Sequence, residues 1–267
     1  MAAESVHIRG AWTADRIAAV FIVAALPPLA GAIFEQGAAL LPALAVALLV
    51  TLGWQTVFAW IRHSPIGWDG IVTAIVFIVM LPTAVPLWQI ALALSFGVVA
   101  GEQIFGGRGR TFVNPAAVGL AFFFFSFPAS ASGAASGLIG LATVPGAVVL
   151  VVLGLISWRV IIAAVAGFAV AALLAGIADP LAILISGSFA FGLIFLGCDP
   201  VSAAATNPGR LIYGVVIGAL TVALGAAGGT VEASAVVFAV LLGSIFAPVI
   251  DHAAVWLHAR RRRRRHG

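Results

Sequence analysis

Two dipeptides, Asn114-Pro115 and Asp199-Pro200, are the places in this chain where residue types and spacing best suit chemistry. The first closes the stretch Gly106-Gly107-Arg108-Gly109-Arg110-Thr111-Phe112-Val113-Asn114-Pro115. The second opens the stretch Cys198-Asp199-Pro200-Val201-Ser202, which continues to Thr206-Asn207-Pro208-Gly209-Arg210. In the first stretch, three closely spaced glycines let backbone approach a ligand. Arg108 and Arg110 carry the fork that pairs with phosphate. Asn114 before Pro115 is the expected arrangement of an N-cap and a first-turn proline. Free amides at such a helix start suit an anion or a carbonyl-rich ring. A plainer reading is a loop with topogenic arginines and an ordinary cap. In the second stretch Thr206, Asn207 and Arg210 add a hydroxyl, an amide and a charge. Asp199 can pair with arginine, ligate a cation or accept from a ring N–H. The plainer reading there is an Asp199–Arg210 structural pair.

The elements that must position these residues are apolar. The chain has 267 residues, 63% of them hydrophobic and 8% charged. So few charges cannot cover the surface of a water-soluble protein of this length, and the fold class is an all-α polytopic membrane protein. No short alternating pattern of a β-barrel is present. Ten segments of near-spanning length are drawn at roughly 17–34, 37–60, 67–83, 86–105, 114–130, 138–157, 159–178, 180–197, 210–228 and 232–256. They leave a cytoplasmic tail over residues 1–16 and an arginine-rich cytoplasmic tail over 257–267. Between the tails lies a single transmembrane domain, 17–256.

Charge fixes the expected orientation. All 13 cationic residues other than histidine are arginines. With both termini inside, the inner connections hold Arg62, Arg108, Arg110, Arg159 and Arg210, and the tails hold the rest. The outer connections hold Glu35, Asp179 and Glu232 and no arginine, as the positive-inside rule requires. Both polar stretches then face the cytoplasm and can converge on one site. Five spans plus five gives two halves of opposite orientation, about 17–130 and 138–256. Proline-bearing breaks at Met80–Pro86 and from Cys198 onward agree with inverted repeats whose binding site lies between the halves.

The remaining residues narrow the chemistry. One cysteine, Cys198, excludes an intrachain disulfide and an iron–sulfur cluster held by this chain alone. No Cys/His group has metal-site spacing. The run Arg260 to Arg265 reads as an anchor on anionic lipid, not as a nucleic-acid site. Gly214 and Gly218 read as a helix-packing face. Phe122 to Phe125 read as packing and lipid contact, with stacking on a planar cofactor as the alternative. Glu102 and Asp251 read as interfacial acids, with a part in ion or proton passage as the alternative. Asp69 reads as solvated in a short connection.

Three ordered motifs carry a family resemblance. They are Phe105-Gly106-Gly107 with Gly109-Arg110-Thr111-Phe112-Val113-Asn114-Pro115-Ala116, then Asp199-Pro200-Val201-Ser202 with Thr206-Asn207-Pro208-Gly209-Arg210, then Phe246-Ala247-Pro248-Val249-Ile250-Asp251-His252. Over about residues 54–255 the chain resembles the B subunit of the sodium-pumping NADH:quinone reductase and the D subunit of the Rnf complex (the NqrB/RnfD family). The resemblance implies a ten-helix fold similar to urea transporters. It implies electron transfer through bound flavin within a multi-subunit complex in a bacterial inner membrane, possible coupling to cation translocation, flavoprotein and membrane partners, and quinone as a candidate acceptor. The chain is then a subunit of an oxidoreductase complex and not a stand-alone enzyme. Asn114 and the Asp199–Asn207 segment are implied to line a non-covalent riboflavin or FMN site. The family's covalent flavin is carried by threonine in a Ser-Gly-Ala-Thr sequence. Here Ser132-Gly133-Ala134-Ala135-Ser136 puts alanine at that position, leaving Ser136 as the nearest hydroxyl. A channel or transporter for a small polar solute on the same architecture is the alternative.

Overall fold

The computed structural model describes residues 13–107, 109–130, 137–177, 179–228 and 232–266. Every regular element among them is helical. The first half contains α1 (Ala14–Gln36), α2 (Leu40–Arg62), α3 (Asp69–Met80), α4 (Leu87–Val98) and α5 (Pro115–Ser126). The second contains α6 (Gly137–Val152), α7 (Trp158–Ala175), the short α8 (Pro180–Leu184) and α9 (Gly187–Gly192), α10 (Asn207–Gly228) and α11 (Ala233–His266). A wider π turn follows α4 at Val99–Gln103 and another follows α9 at Leu193–Gly197.

Among the described residues, four stretches are long and apolar enough to cross a membrane: Ala14–Arg62, Trp158–Ala175, Asn207–Ala226 and Ala233–Trp256. The exterior is as greasy as the interior. Phe34, Phe125 and Leu174 are each more than 80% exposed. That surface fits lipid and not water. This is an integral membrane protein.

The expected segment 180–197 is not one helix. The chain bends at Ile185–Ser186, where the Ser186 hydroxyl accepts from the Phe189 amide at 3.4 Å and starts α9 afresh. Likewise α3 is only 12 residues long, about 18 Å. Both short helices sit in the centre of the fold. Residues Ala74 to Met80 of α3 are almost wholly buried, as are Phe189, Phe191 and Phe195. Helices too short to span leave their ends inside the protein, where the backbone needs polar partners.

Long helices enclose this centre. α2 packs on α4 as α7 packs on α10, and α4 packs on α5 as α10 packs on α11. Across the halves, α1 lies on α6, α5 on α11 and α3 on α9. Small residues allow the close approaches. A Cβ on Gly218 would collide with the Ala164 carbonyl oxygen of α7, and one on Gly214 would come within 2.6 Å of that of Val160. The Gly214–Gly218 stripe is thus a packing face, as its spacing predicts. Gly218→Val is expected to lower stability by about 3 kcal/mol or more, because backbone stands in the way. A thermal melt in detergent checks this.

Three buried threonines in the apolar layers satisfy themselves. The hydroxyls of Thr51, Thr143 and Thr221 each donate to the carbonyl four residues back, at 2.8–2.9 Å. The phenylalanine run divides as packing and lipid contact. Phe123 and Phe124 are buried, Phe122 stacks on Phe96 at 4.6 Å between centroids, and Phe125 faces outward.

Candidate functional site

One end of the bundle gathers nearly all the polar chemistry. Asn114 precedes α5, and its Oδ1 accepts from the amides of Ala116 (2.9 Å) and Ala117 (3.4 Å). With Pro115 occupying the first turn, this is the capping that the sequence predicts. Capping commits the oxygen of the amide and leaves its nitrogen as donor, and that nitrogen serves the Asp199 carboxylate. The two polar stretches, one from each half, therefore meet through a side-chain hydrogen bond.

Asp199 follows the π turn Leu193–Gly197. Its Oδ2 accepts from the Ser202 hydroxyl at 2.9 Å, and the Val201 amide approaches Oδ1 at 3.5 Å. Asp199 lies in the connection outside the spanning helices. Burial pushes its carboxyl above the usual range, and the hydrogen bonds from Ser202, Val201 and Asn114 only partly offset this. The adjacent Cys198 thiol is pushed up to about 12 by burial and by Asp199, so it is a packed, inert thiol.

The Asn114–Asp199 contact borders a cavity of about 130 Å³. Its apolar wall includes Phe21 of α1, Val72 and Val76 of α3, and Phe195. Its polar wall includes Thr111, Asn114, Asp199, Asp69 and Glu102. Beside it lies a second, more polar cavity of about 490 Å³, with Gln55, Arg62, Asp69, Glu102, Gln103 and Arg110 in its lining.

The structure separates the remaining expected site residues. Arg110 borders the second cavity and not the first. Arg108 and Ser136 lie outside the described residues. Thr206, Asn207 and Arg210 stand apart from the Asn114–Asp199 contact. Asn207 Oδ1 accepts from Arg159 of α7, and Arg210 Nε donates to the Ala204 carbonyl at 3.2 Å. An Asp199–Arg210 pair is not formed, because Asp251 holds this part of the chain instead. Asp251 of α11 accepts from the amides of Ala205 (2.7 Å) and Thr206 (3.0 Å) and from the Thr206 hydroxyl (2.5 Å). It thereby fixes the connection that runs from Asp199 into α10. Asp251→Ala is expected to raise amide exchange at Ala205 and Thr206 at least about tenfold, equivalent to roughly 1.4 kcal/mol. Hydrogen–deuterium exchange in detergent reads this directly.

Two acids lie deeper than the sequence suggests. Glu102 is 4% exposed, carried inward by the π turn Val99–Gln103. Gln103 Nε2 donates to it at 3.1 Å, and Arg62 of α2 grips Gln103 at both its side-chain and its main-chain oxygen. Asp69 is not a solvated loop residue. It begins α3, takes a 2.9 Å hydrogen bond from Gln55 Nε2 and borders both cavities. Gln55 is the signal in the sequence that points there: a glutamine inside the apolar α2 needs a polar partner.

The remaining charges sort by end. Arg62, Arg110, Arg159 and Arg210 lie at the site end. Glu35 closes α1, and Asp179 and Glu232 precede α8 and α11, so helix direction puts them at the other end.

The family model described as the NQR2, RnfD, RnfE family matches residues 1–137 and 130–257. The chain is similar to the B subunit of the Na(+)-translocating NADH-quinone reductase of Ectopseudomonas mendocina (strain ymp), at 34% identity over 86% of this chain and 70% of that protein. It is 33% identical to the corresponding B subunit of Azotobacter vinelandii, again over 86% and 70% of the two chains. With the B subunit of Pseudomonas paraeruginosa the match is 31% over 99% of this chain and 79% of that one.

Proposed function

Because the chain belongs to the NQR2, RnfD, RnfE family, we propose that it is a membrane subunit of a Na⁺-translocating NADH–quinone-reductase-like complex and relays electrons through a non-covalent flavin held at the Asn114–Asp199 contact. The observation that carries the reading is the joining of the two polar stretches at one cavity. The donor set suits an isoalloxazine ring, riboflavin or FMN. The Asn114 amide, the Asp199 carboxylate and the Thr111 hydroxyl face its donors and acceptors, and Phe21, Val72, Val76 and Phe195 offer apolar contact. At about 130 Å³ the cavity is tighter than the roughly 300–1,000 Å³ of most ligand sites. Seating the ring thus requires the cavity to widen.

When bound, the flavin supplies reversible electron transfer, which no side chain of this chain can do. The residues present bind and orient it and exclude water. The α2–α4/α7–α10 and α4–α5/α10–α11 correspondences support a ten-helix architecture of two inverted five-helix repeats, about 17–130 and 138–256. The arginine-rich end that holds the site is read as cytoplasmic, with both termini on that side of a bacterial inner membrane. Flavoprotein and membrane subunits would supply the donor, and quinone is the candidate acceptor. Of the acids considered for ion passage, Glu102 borders both cavities, whereas Asp251 is committed to the Ala205–Thr206 backbone. Extraction in mild detergent tests the reading. A yellow chain whose flavin is released by denaturation is expected. A colourless chain that passes small polar solutes in liposomes would replace it with the transporter reading.

A further inference from the structure

The two cavities share two lining residues, and both are carboxylic: Asp69 at the start of α3 and Glu102 in the π turn after α4. On one side of this wall the cavity is roomy and polar. On the other it is small and mostly apolar, and it holds the Asn114–Asp199 contact. Gln55 gives the outer side a further property. Its Nε2 is spent on Asp69, and its buried Oε1 has no protein donor. A buried carbonyl oxygen of this kind costs about 1–3 kcal/mol unless water supplies the missing hydrogen bond. The outer cavity, which Gln55 lines, is polar and large enough for that water.

We propose that Asp69 and Glu102 form a proton relay from the outer cavity into the inner one. The proposal rests on the flavin reading above, and adds how a ring enclosed away from bulk water obtains its protons. A flavin held in the inner cavity would supply the redox chemistry, taking its electrons from a reduced flavoprotein partner, and a carboxylic acid in the wall would give up the proton that its reduction requires. That acid is recharged by an acid in the water of the outer cavity, so the relay ends each transfer as it began. The charged groups facing the pair are Asp15 from α1, Arg62 from α2, Arg110 from the connection before α5, and Asp199 across the inner cavity. Arg62 is held by Gln103, the residue that also donates to Glu102. This fixes the acid at the wall.

The test uses the full chain in nanodiscs with its bound flavin, as wild type and as the isosteric variants Asp69→Asn, Glu102→Gln and the double variant. The flavin is photoreduced in weak buffer, with bleaching and a pH indicator followed together. In the wild type, proton uptake keeps pace with bleaching. In the double variant, uptake per flavin bleached lags at least about tenfold and is restored by a small diffusible acid such as formic acid. Uptake that stays fast, or a lag that formic acid does not cure, overturns the relay. A colourless chain refutes the flavin reading separately. The pair is then read by infrared titration, in which a carboxylic-acid carbonyl band lost in Glu102→Gln supports the relay and the absence of any such band overturns it.

Discussion

Asn114→Ala is expected to leave the purified chain with under about a tenth of its bound flavin and to lower its stability by roughly 2–4 kcal/mol. Two losses combine. The α5 cap goes, because Oδ1 no longer receives the Ala116 and Ala117 amides; this costs about 1 kcal/mol. The Asp199 carboxylate also loses its donor from the other half of the molecule, and stripping a partner from this half-buried acceptor costs about 1–3 kcal/mol. The flavin effect follows because the amide that aligns the two halves is also the group offered to the ring. Asn207→Ala is the contrasting variant. Asn207 bonds Arg159 outside the cavity, so its loss is expected to spare flavin content. Absorbance per mole of protein and a thermal melt read both outcomes. Equal flavin in the two variants would remove Asn114 from the site.

Asp199→Asn is expected to weaken flavin binding about tenfold or more, as loss of a charged acceptor does, and to change how stability depends on pH. The sign follows from the direction of the shift. Burial raises the folded-state pKa of Asp199 above its unfolded value. The folded state therefore holds the proton more tightly than the unfolded state. The contribution to stability is fully present below the unfolded pKa and is lost as pH rises through the folded pKa. The wild type is then destabilised relative to Asp199→Asn as pH rises through that window, and the difference between their melting temperatures is flat above it. Paired melts across the acid and neutral range check this. A difference that narrows with rising pH would mean that the hydrogen bonds from Ser202, Val201 and Asn114 outweigh burial.

The site is partly legible in the sequence because capping is local. Asn114-Pro115 declares an α5 start in two residues, and the structure forms that cap. Asp199 stands out by its chemistry within an apolar chain, and it meets Asn114. The neighbouring candidates stand out on the same grounds and go elsewhere. Thr206 is held by Asp251, Asn207 by Arg159 and Arg210 by the Ala204 carbonyl. Proximity along the chain does not predict direction after a turn. Asp69 departs from expectation for a related reason. A short connection between spans suggests water, but α3 is a short central helix, so its first residue enters the protein with it.

By itself the sequence determined the solvent and the orientation signal. An apolar composition with so few charges demands a bilayer, and the restriction of arginine to the tails and to the connections on one side needs only counting. It also determined the α5 cap, the Gly214–Gly218 packing face and the family, since each is written in contiguous residues. Only the tertiary structure decided that Asn114 joins Asp199, that Asp251 and not Asp199 restrains the start of α10, and that Glu102 and Asp69 stand in the wall between two cavities. These outcomes depend on how α3, α5, α9 and α11 cross and on two π turns that rotate the chain by a fraction of a turn. Helix crossing is set by side-chain packing summed over whole interfaces, and no short stretch of sequence contains that sum.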